Sequence, residues 1–142
     1  MAYVFVVDDD PAIRTALRSA LEEHGHVVFE AGDGVSALER LRASPWPLVV
    51  LLDFKLPRLD GAGVLGTVAG DRTLAQRHRY VLMTASAQTL PVALGALLTS
   101  LEVPLVQKPF ELEGLLDLVA HLAQEALSTR PVSDGIGTAA IS

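Results

Sequence analysis

Three consecutive aspartates, Asp8, Asp9 and Asp10, close an apolar run in "VFVVDDDP", and Asp53 closes another in "PLVVLLDFKLP". Thr84 stands at the end of "YVLMT", and Lys108 follows "VPLVQ". Crowded carboxylates push one another's pKa values up unless a cation lies among them. Oxygen donors of this kind suit a hard divalent ion, and Mg²⁺ takes one or two carboxylates together with waters and phosphate oxygens. A carboxylate nucleophile, a metal, a hydroxyl and an ammonium together describe phosphoryl transfer to an aspartate. The parts are spread from position 8 to position 108, so the fold must assemble them.

Apolar runs alternate with helix-period segments five times. Tyr3–Val7 is a short continuous apolar run, the mark of a strand covered on both faces. Ile13, Ala16, Leu17, Ala20 and Leu21 recur at helical spacing, which predicts a helix from about Pro11 to His24, stopping near Gly25. Val27–Glu30 reads as a second strand, and "DGVSALERLRA" as a helix capped by Asp33. "PLVVLLD" is the strongest strand signal. "GAGVLGTVAG" is a poor helix, because each internal glycine costs up to ~1 kcal/mol against alanine. "YVLMT" is a fourth strand, Leu90–Leu101 an apolar helix with Pro91 in its first turn, and "VPLVQ" a short fifth strand. Leu112, Leu115, Leu116, Val119, Leu122, Ala123 and Ala126 mark a last amphipathic helix.

This alternation predicts an α/β fold: a doubly wound, five-stranded parallel sheet of order 2-1-3-4-5 between two helical layers, flavodoxin-like. Strand five is then an edge, where Pro104 costs least. The order makes strands one and three neighbours about 4.8 Å apart, with the candidate residues at the carboxyl ends of the strands, where such sheets bind ligands. One domain is expected over residues 1–127, followed by a flexible tail, 128–142, with little periodicity.

The chain has 142 residues, half of them hydrophobic, a formal net charge of −6 and no cysteine. Disulfides and thiolate metal sites are therefore excluded, which fits a cytoplasmic protein. No apolar stretch approaches the roughly 20 residues of a membrane helix, and the N-terminus lacks the features of a signal peptide. Eleven Lys and Arg residues without a dense cluster argue against direct binding to nucleic acid.

The segments "VFVVDDDP", "EAGDGVSAL", "LLDFKLPRLDG", "VLMTAS" and "QKPF" resemble, in order and spacing, the receiver domain of two-component response regulators. The resemblance spans Tyr3 to about Leu127. It implies that Asp53 is the phosphoacceptor. It also implies that Asp9 binds Mg²⁺ directly, Asp8 mostly through water, and that the Lys55 backbone carbonyl completes the protein ligands. Lys108 would pair with an Asp53 or phosphoryl oxygen, Thr84 would bond the phosphoryl group with the Ala85 N–H nearby, and Lys108–Pro109 would be a cis peptide. The donor implied is the phosphohistidine of a sensor kinase or phosphotransfer protein. The domain would be a switch for a downstream protein partner, with slow self-dephosphorylation at most, rather than an enzyme.

Two features depart from the family. Leu105 occupies the position that usually holds an inward-swinging Tyr or Phe, so coupling through Thr84 is expected without aromatic reorientation. The apolar fourth helix, "LPVALGALLTSL", has more apolar surface than one packed face needs. With the fifth strand and fifth helix, it is a candidate homodimer or partner face. Lys55 and Ser86 fall where the family tunes phosphoryl lifetime.

Plainer roles suffice for other residues. Asp10 and Asp33 suit helix caps, Asp60 a turn, His24 and His26 the turn into strand two, and Trp46 local packing, while His78 and His121 have no partner visible in sequence. Two other function classes stay open on the residues alone. One is an aspartate-nucleophile phosphatase, although "DDDPA" lacks its Asp-x-Asp continuation. The other is a receiver-like adaptor that works without phosphorylation.

Overall fold

In the computed structural model, which describes residues 1–133, β-branched apolar runs form five parallel strands. These are β1 (Tyr3–Val7), β2 (Val27–Ala31), β3 (Val49–Asp53), β4 (Arg79–Thr84) and β5 (Leu105–Gln107), in the order β2-β1-β3-β4-β5. Alternate side chains of each strand point to opposite faces. Phe5, Val7, Val50, Leu52 and Leu82 enter one core, and Val4, Val6, Val49, Leu51, Val81 and Met83 the other. Because both faces are covered, the three central strands, β1, β3 and β4, have no exposed position, whereas the edge strands expose Val27 and Leu105.

The first core is roofed by α2 (Gly34–Ala43), α3 (Gly61–Ala69), α4 (Arg72–Arg77) and α5 (Val92–Leu101). The second is roofed by α1 (Pro11–Glu23) and α6 (Leu112–Ser133). Aspartates start four of the helices: Asp10, Asp33, Asp60 and Asp71 each accept a backbone N–H of the first turn. Each satisfies one of the donors that a helix leaves unpaired at its start. Asp60 is thus a cap rather than only a turn residue.

Three boundaries differ from the sequence expectation. The glycine-rich segment is a full helix, α3, because two of its glycines permit contacts that a Cβ would block. A Cβ on Gly61 would lie 2.8 Å from the Asp53 carbonyl oxygen, and one on Gly63 would lie 2.4 Å from Leu59 Cδ1. Second, "RTLAQR" forms the extra helix α4, so the apolar helix counted fourth in the sequence is α5. At six residues α4 is too short to show a period, and it is held by its Asp71 cap and buried Leu74. Third, the last helix runs on to Ser133, past the last apolar repeat, as helical propagation costs little once a packed segment has nucleated it. Of the expected tail, residues 134–142 lie outside the described residues.

Pro104 precedes β5, and its carbonyl accepts the Leu82 N–H at 3.0 Å, so the edge strand loses no ladder bond to the proline. No helix among the described residues is long and apolar enough to cross a membrane.

Candidate functional site

Strand register brings the chemistry together. Val7 pairs with Leu52, so the next residues, Asp8 and Asp53, leave neighbouring strands side by side. Asp53 pairs with Met83, whose successor is Thr84, and Thr84 pairs with Gln107, whose successor is Lys108. Four candidate side chains, Asp8, Asp53, Thr84 and Lys108, therefore follow from three register pairs at one end of the sheet.

The carboxylate oxygens of Asp8, Asp9 and Asp53 include one from each residue lying within 4.8 Å of the others. Asp8 and Asp53 are buried, while Asp9 faces solvent. Hard carboxylate oxygens gathered this closely form a donor set that suits Mg²⁺. Lys108 Nζ donates to Asp8 Oδ2 at 2.8 Å and lies 3.1 Å from Asp53 Oδ1. The other Asp8 oxygen, Oδ1, accepts the Asp10 N–H at 3.0 Å. Lys108 is anchored in turn, its own N–H donating to the Thr84 carbonyl at 2.7 Å, and the Lys108–Pro109 bond is cis.

Burial raises the Asp53 pKa, the Asp8 charge raises it further, and Lys108 only partly offsets both. For Lys108, burial favours the neutral amine, but hydrogen bonds and charge from Asp8 and Asp53 outweigh it and hold the pKa above the usual lysine value. Two buried carboxylates with one ammonium leave an excess of negative charge, which is the electrostatic condition for binding a cation.

The loop after β3 supplies the outer wall. Asp9, Phe54, Lys55, Leu56, Pro57 and Asp60 line an open groove of about 440 Å³. The loop is pinned to the sheet end by Phe54 N–H donating to the Met83 carbonyl at 2.8 Å and Gly61 N–H donating to the Phe54 carbonyl at 2.7 Å. Gly34 lets the loop lie against α2, since a Cβ there would stand 1.9 Å from the Leu59 carbonyl oxygen.

Thr84 is buried, and its hydroxyl bonds Ser86 rather than Asp53. It donates to the Ser86 carbonyl at 3.3 Å and accepts the Ser86 N–H at 3.2 Å. Ala85 is exposed beside it. Leu105 on β5 is 40% exposed. The structure therefore gathers Asp8, Asp9, Asp53, Lys55, Thr84 and Lys108 at one end of the sheet. Two further residues, given no role by the sequence, acquire partners: Arg14 beside this site, and His78 at the opposite end of β4. Arg14 Nη1 donates to the Asp8 carbonyl at 2.7 Å. His78 is buried, with Nδ1 accepting the Leu48 N–H at 3.0 Å and Nε2 3.1 Å from the Leu41 carbonyl oxygen. The His78 bonds join distant segments and the Arg14 bond goes to a backbone carbonyl, so no side-chain pattern reports either.

A five-stranded doubly wound sheet with an acidic cluster and a lysine at its carboxyl end defines the class of phosphorylatable receiver folds. The sequence matches the family model of the response regulator receiver domain over residues 4–120, and the chain belongs to that family. It is 36% identical over 109 residues to the transcriptional regulatory protein CseB of Streptomyces coelicolor, covering 77% of this chain and 44% of that protein. It is 34% identical over 131 residues to the response regulator MprA of Mycobacterium avium, covering 92% of this chain and 54% of that one. The chain thus spans about half the length of these relatives. Among solved structures it superposes on a CheY-like receiver domain from Methanospirillum hungatei with TM-score 0.77 and 25% identity, over 89% of this chain and 97% of that one. It superposes on the response regulator TrrA of Thermotoga maritima, solved in complex with Mg²⁺ and BeF, with TM-score 0.70 and 26% identity, over 86% and 99% of the two chains. The chain is a receiver domain of the two-component type, and neither the phosphatase nor the adaptor reading is favoured.

Proposed function

We propose that Asp53 accepts a phosphoryl group from a phosphohistidine on a sensor kinase or phosphotransfer protein, and that the product switches the binding of a downstream partner. The observation that carries this reading is the position of Lys108 between Asp8 and Asp53 beside three converging carboxylates. An Asp53 oxygen attacks phosphorus in line with the leaving imidazole, so the P–N bond breaks as the P–O bond forms. The imidazole nitrogen then takes a proton from solvent. Mg²⁺, when bound, neutralises charge on the phosphoryl oxygens.

Asp9, exposed at the groove, and Asp53 would hold the ion directly. Asp8, whose two oxygens already serve Lys108 and the Asp10 N–H, would act through water, and the Lys55 carbonyl would be the remaining protein ligand. Lys108 keeps a positive charge against Asp53 before transfer and against a phosphoryl oxygen after it. Thr84 leaves Ser86 to bond the phosphoryl group, and the Ala85 N–H stands on the same loop. In this reading the domain is a switch without turnover of its own beyond slow hydrolysis, in the cytoplasm with its kinase.

Labelling with a small phosphodonor such as phosphoramidate and Mg²⁺, followed by intact mass, tests the assignment. Stoichiometric, alkali-labile labelling in the wild type and none in Asp53→Ala is expected. Labelling that survives Asp53→Ala would overturn it. A homodimer or partner face formed by α5, β5 and α6 is supported by Val92, Leu105 and Leu112, which are 95%, 40% and 42% exposed. Sedimentation showing a strict monomer with and without a beryllofluoride mimic would remove the homodimer.

A further inference from the structure

Asp8 directly follows β1 and is held by several anchors. Its N–H donates to the Ala31 carbonyl at 3.1 Å, continuing the β1–β2 ladder, and its carboxylate is shared between Lys108 and the Asp10 N–H. Its carbonyl is taken by Arg14, in the first turns of α1, at 2.7 Å. That carbonyl belongs to the Asp8–Asp9 peptide, which is planar. Fixing its direction fixes the amide of Asp9 and the point from which the Asp9 side chain departs.

Arg14 is itself held. Nε donates to Glu30 Oε1 on β2 at 3.0 Å, and the side chains of Arg14 and Glu30 are 22% and 27% exposed. The far end of the guanidinium lies against Gly32, where a Cβ would stand 3.3 Å from Nη1. The planar fork thus reaches from a strand carboxylate to the Asp8 carbonyl, with a glycine leaving room for its head. Lysine offers a single rotatable ammonium in place of this fork and cannot hold two acceptors in one plane. Glu30 also receives Arg18, which makes a further ion pair with Glu22 at 2.9 Å. Arg18 shares the ion-pair network, but among the described residues its hydrogen bonds run to Glu30 and Glu22 and not to the Asp8 carbonyl.

We infer that Arg14 is a positioning residue for the metal site, orienting the Asp8–Asp9 peptide so that Asp9 faces the ion, with Glu30 as its anchor. The inference rests on the proposed Mg²⁺ site. Groups that orient metal ligands from outside typically change metal affinity 10–100-fold when removed. Arg18 supplies the comparison, because its loss weakens the same α1–β2 ion pairs and leaves the Asp8 carbonyl bond in place.

The test is calorimetric titration of Mg²⁺ into the unphosphorylated full chain for wild type, Arg14→Met, Arg14→Lys and Arg18→Met, with circular dichroism to confirm folding. The expected result is an Mg²⁺ dissociation constant raised about tenfold or more in both Arg14 variants and less than twofold in Arg18→Met. Arg14→Lys keeps the stem and the charge, so it carries the test if Arg14→Met does not fold. Equal shifts in the Arg14 and Arg18 variants would overturn the positioning role and leave the metal site standing. A wild type that takes up no Mg²⁺ would overturn the site itself, and the inference with it.

Discussion

The Lys108 ammonium lies 3.1 Å from Asp53 Oδ1, although β4 separates the strands that these residues follow or end. The lysine crosses β4 because its backbone is tied to the Thr84 carbonyl, and it divides its charge between Asp53 and Asp8. One ammonium against two buried carboxylates leaves the site short of positive charge. Asp53 consequently titrates above the usual carboxylate range, first through burial and then through the Asp8 charge.

Asp53→Asn should therefore stabilise the metal-free protein. A carboxylate whose pKa is raised on folding favours the folded state while protonated. That contribution is present below the ordinary value of 3.8 and is lost as pH rises through the raised value. At pH 7 the wild type carries the full cost, and the amide does not. Thermal melts in EDTA are expected to show a midpoint roughly 3 °C higher in the variant, the effect of about 1 kcal/mol in a domain of this size. Saturating Mg²⁺ should raise the wild-type midpoint more than the variant's. A variant that melts lower than wild type in EDTA would show that the Lys108 ion pair outweighs the repulsion.

His78 predicts a separate acid sensitivity. Its ring is 1% exposed and stands edge-on to Tyr80, with ring centroids 6.3 Å apart. Nδ1 accepts from Leu48, so the neutral ring carries its proton on Nε2 and donates to Leu41. Burial lowers the pKa from 6.5 to about 4, with the bond to Leu41 opposing the shift and Arg77 adding to it. Because the folded value lies below the unfolded one, this stability is present above pH 6.5 and falls away as pH drops toward 4. The span corresponds to about 3 kcal/mol. Urea unfolding of wild type and His78→Gln from pH 7 to pH 4 checks this. The variant should start less stable at pH 7 and decline less steeply, and parallel curves would remove the role.

Two glycines should respond to alanine with opposite signs. A Cβ at Gly34 would stand 1.9 Å from the Leu59 carbonyl oxygen, a backbone atom of the loop that also carries Lys55. Gly34→Ala must push that loop off α2, with an expected cost of about 2 kcal/mol and weaker Mg²⁺ binding. Gly66 lies inside α3, and a Cβ there meets nothing within 4 Å. Gly66→Ala should stabilise by about 0.5–1 kcal/mol, because alanine loses less backbone entropy in a helix. Chemical denaturation of both variants tests the pair, and a stabilising Gly34→Ala would show that the loop yields freely.

Strands and site were legible for one physical reason. A parallel sheet buries both faces, so each strand is a continuous apolar run, and the first polar residue after it marks the sheet's functional end. That reasoning reaches Asp8, Asp53 and Thr84 directly, and Lys108 one residue past Gln107. It cannot reach Arg14 or His78, whose importance lies in bonds to the Asp8 carbonyl, the Leu48 N–H and the Leu41 carbonyl. Any arginine or histidine at those positions reads the same until the backbone around it is known. Helix α4 escaped for a different reason, since six residues with one buried leucine carry no measurable period.

Leu105 shapes the last prediction. The residue is half exposed on an edge strand and has no ring to swing inward, so the release of Thr84 must be felt elsewhere. Thr84 and Thr89 both donate to the Ser86 carbonyl, at 3.3 and 3.1 Å, and Ser86 precedes the short turn Ala87–Thr89 that leads into α5. If Thr84 turns to the phosphoryl group as proposed, the Ser86 carbonyl keeps its bonds from Thr89 and the turn loses one of the bonds that define it. With beryllofluoride and Mg²⁺, amide shifts in an NMR spectrum should therefore concentrate at Asp8–Asp10, Phe54–Lys55 and Ser86–Leu90. Thr89→Val should enlarge the response at the start of α5. A mimic-bound crystal structure in which Phe110 changes rotamer together with Thr84, while Ser86–Leu90 stays in place, would replace this route with an aromatic one.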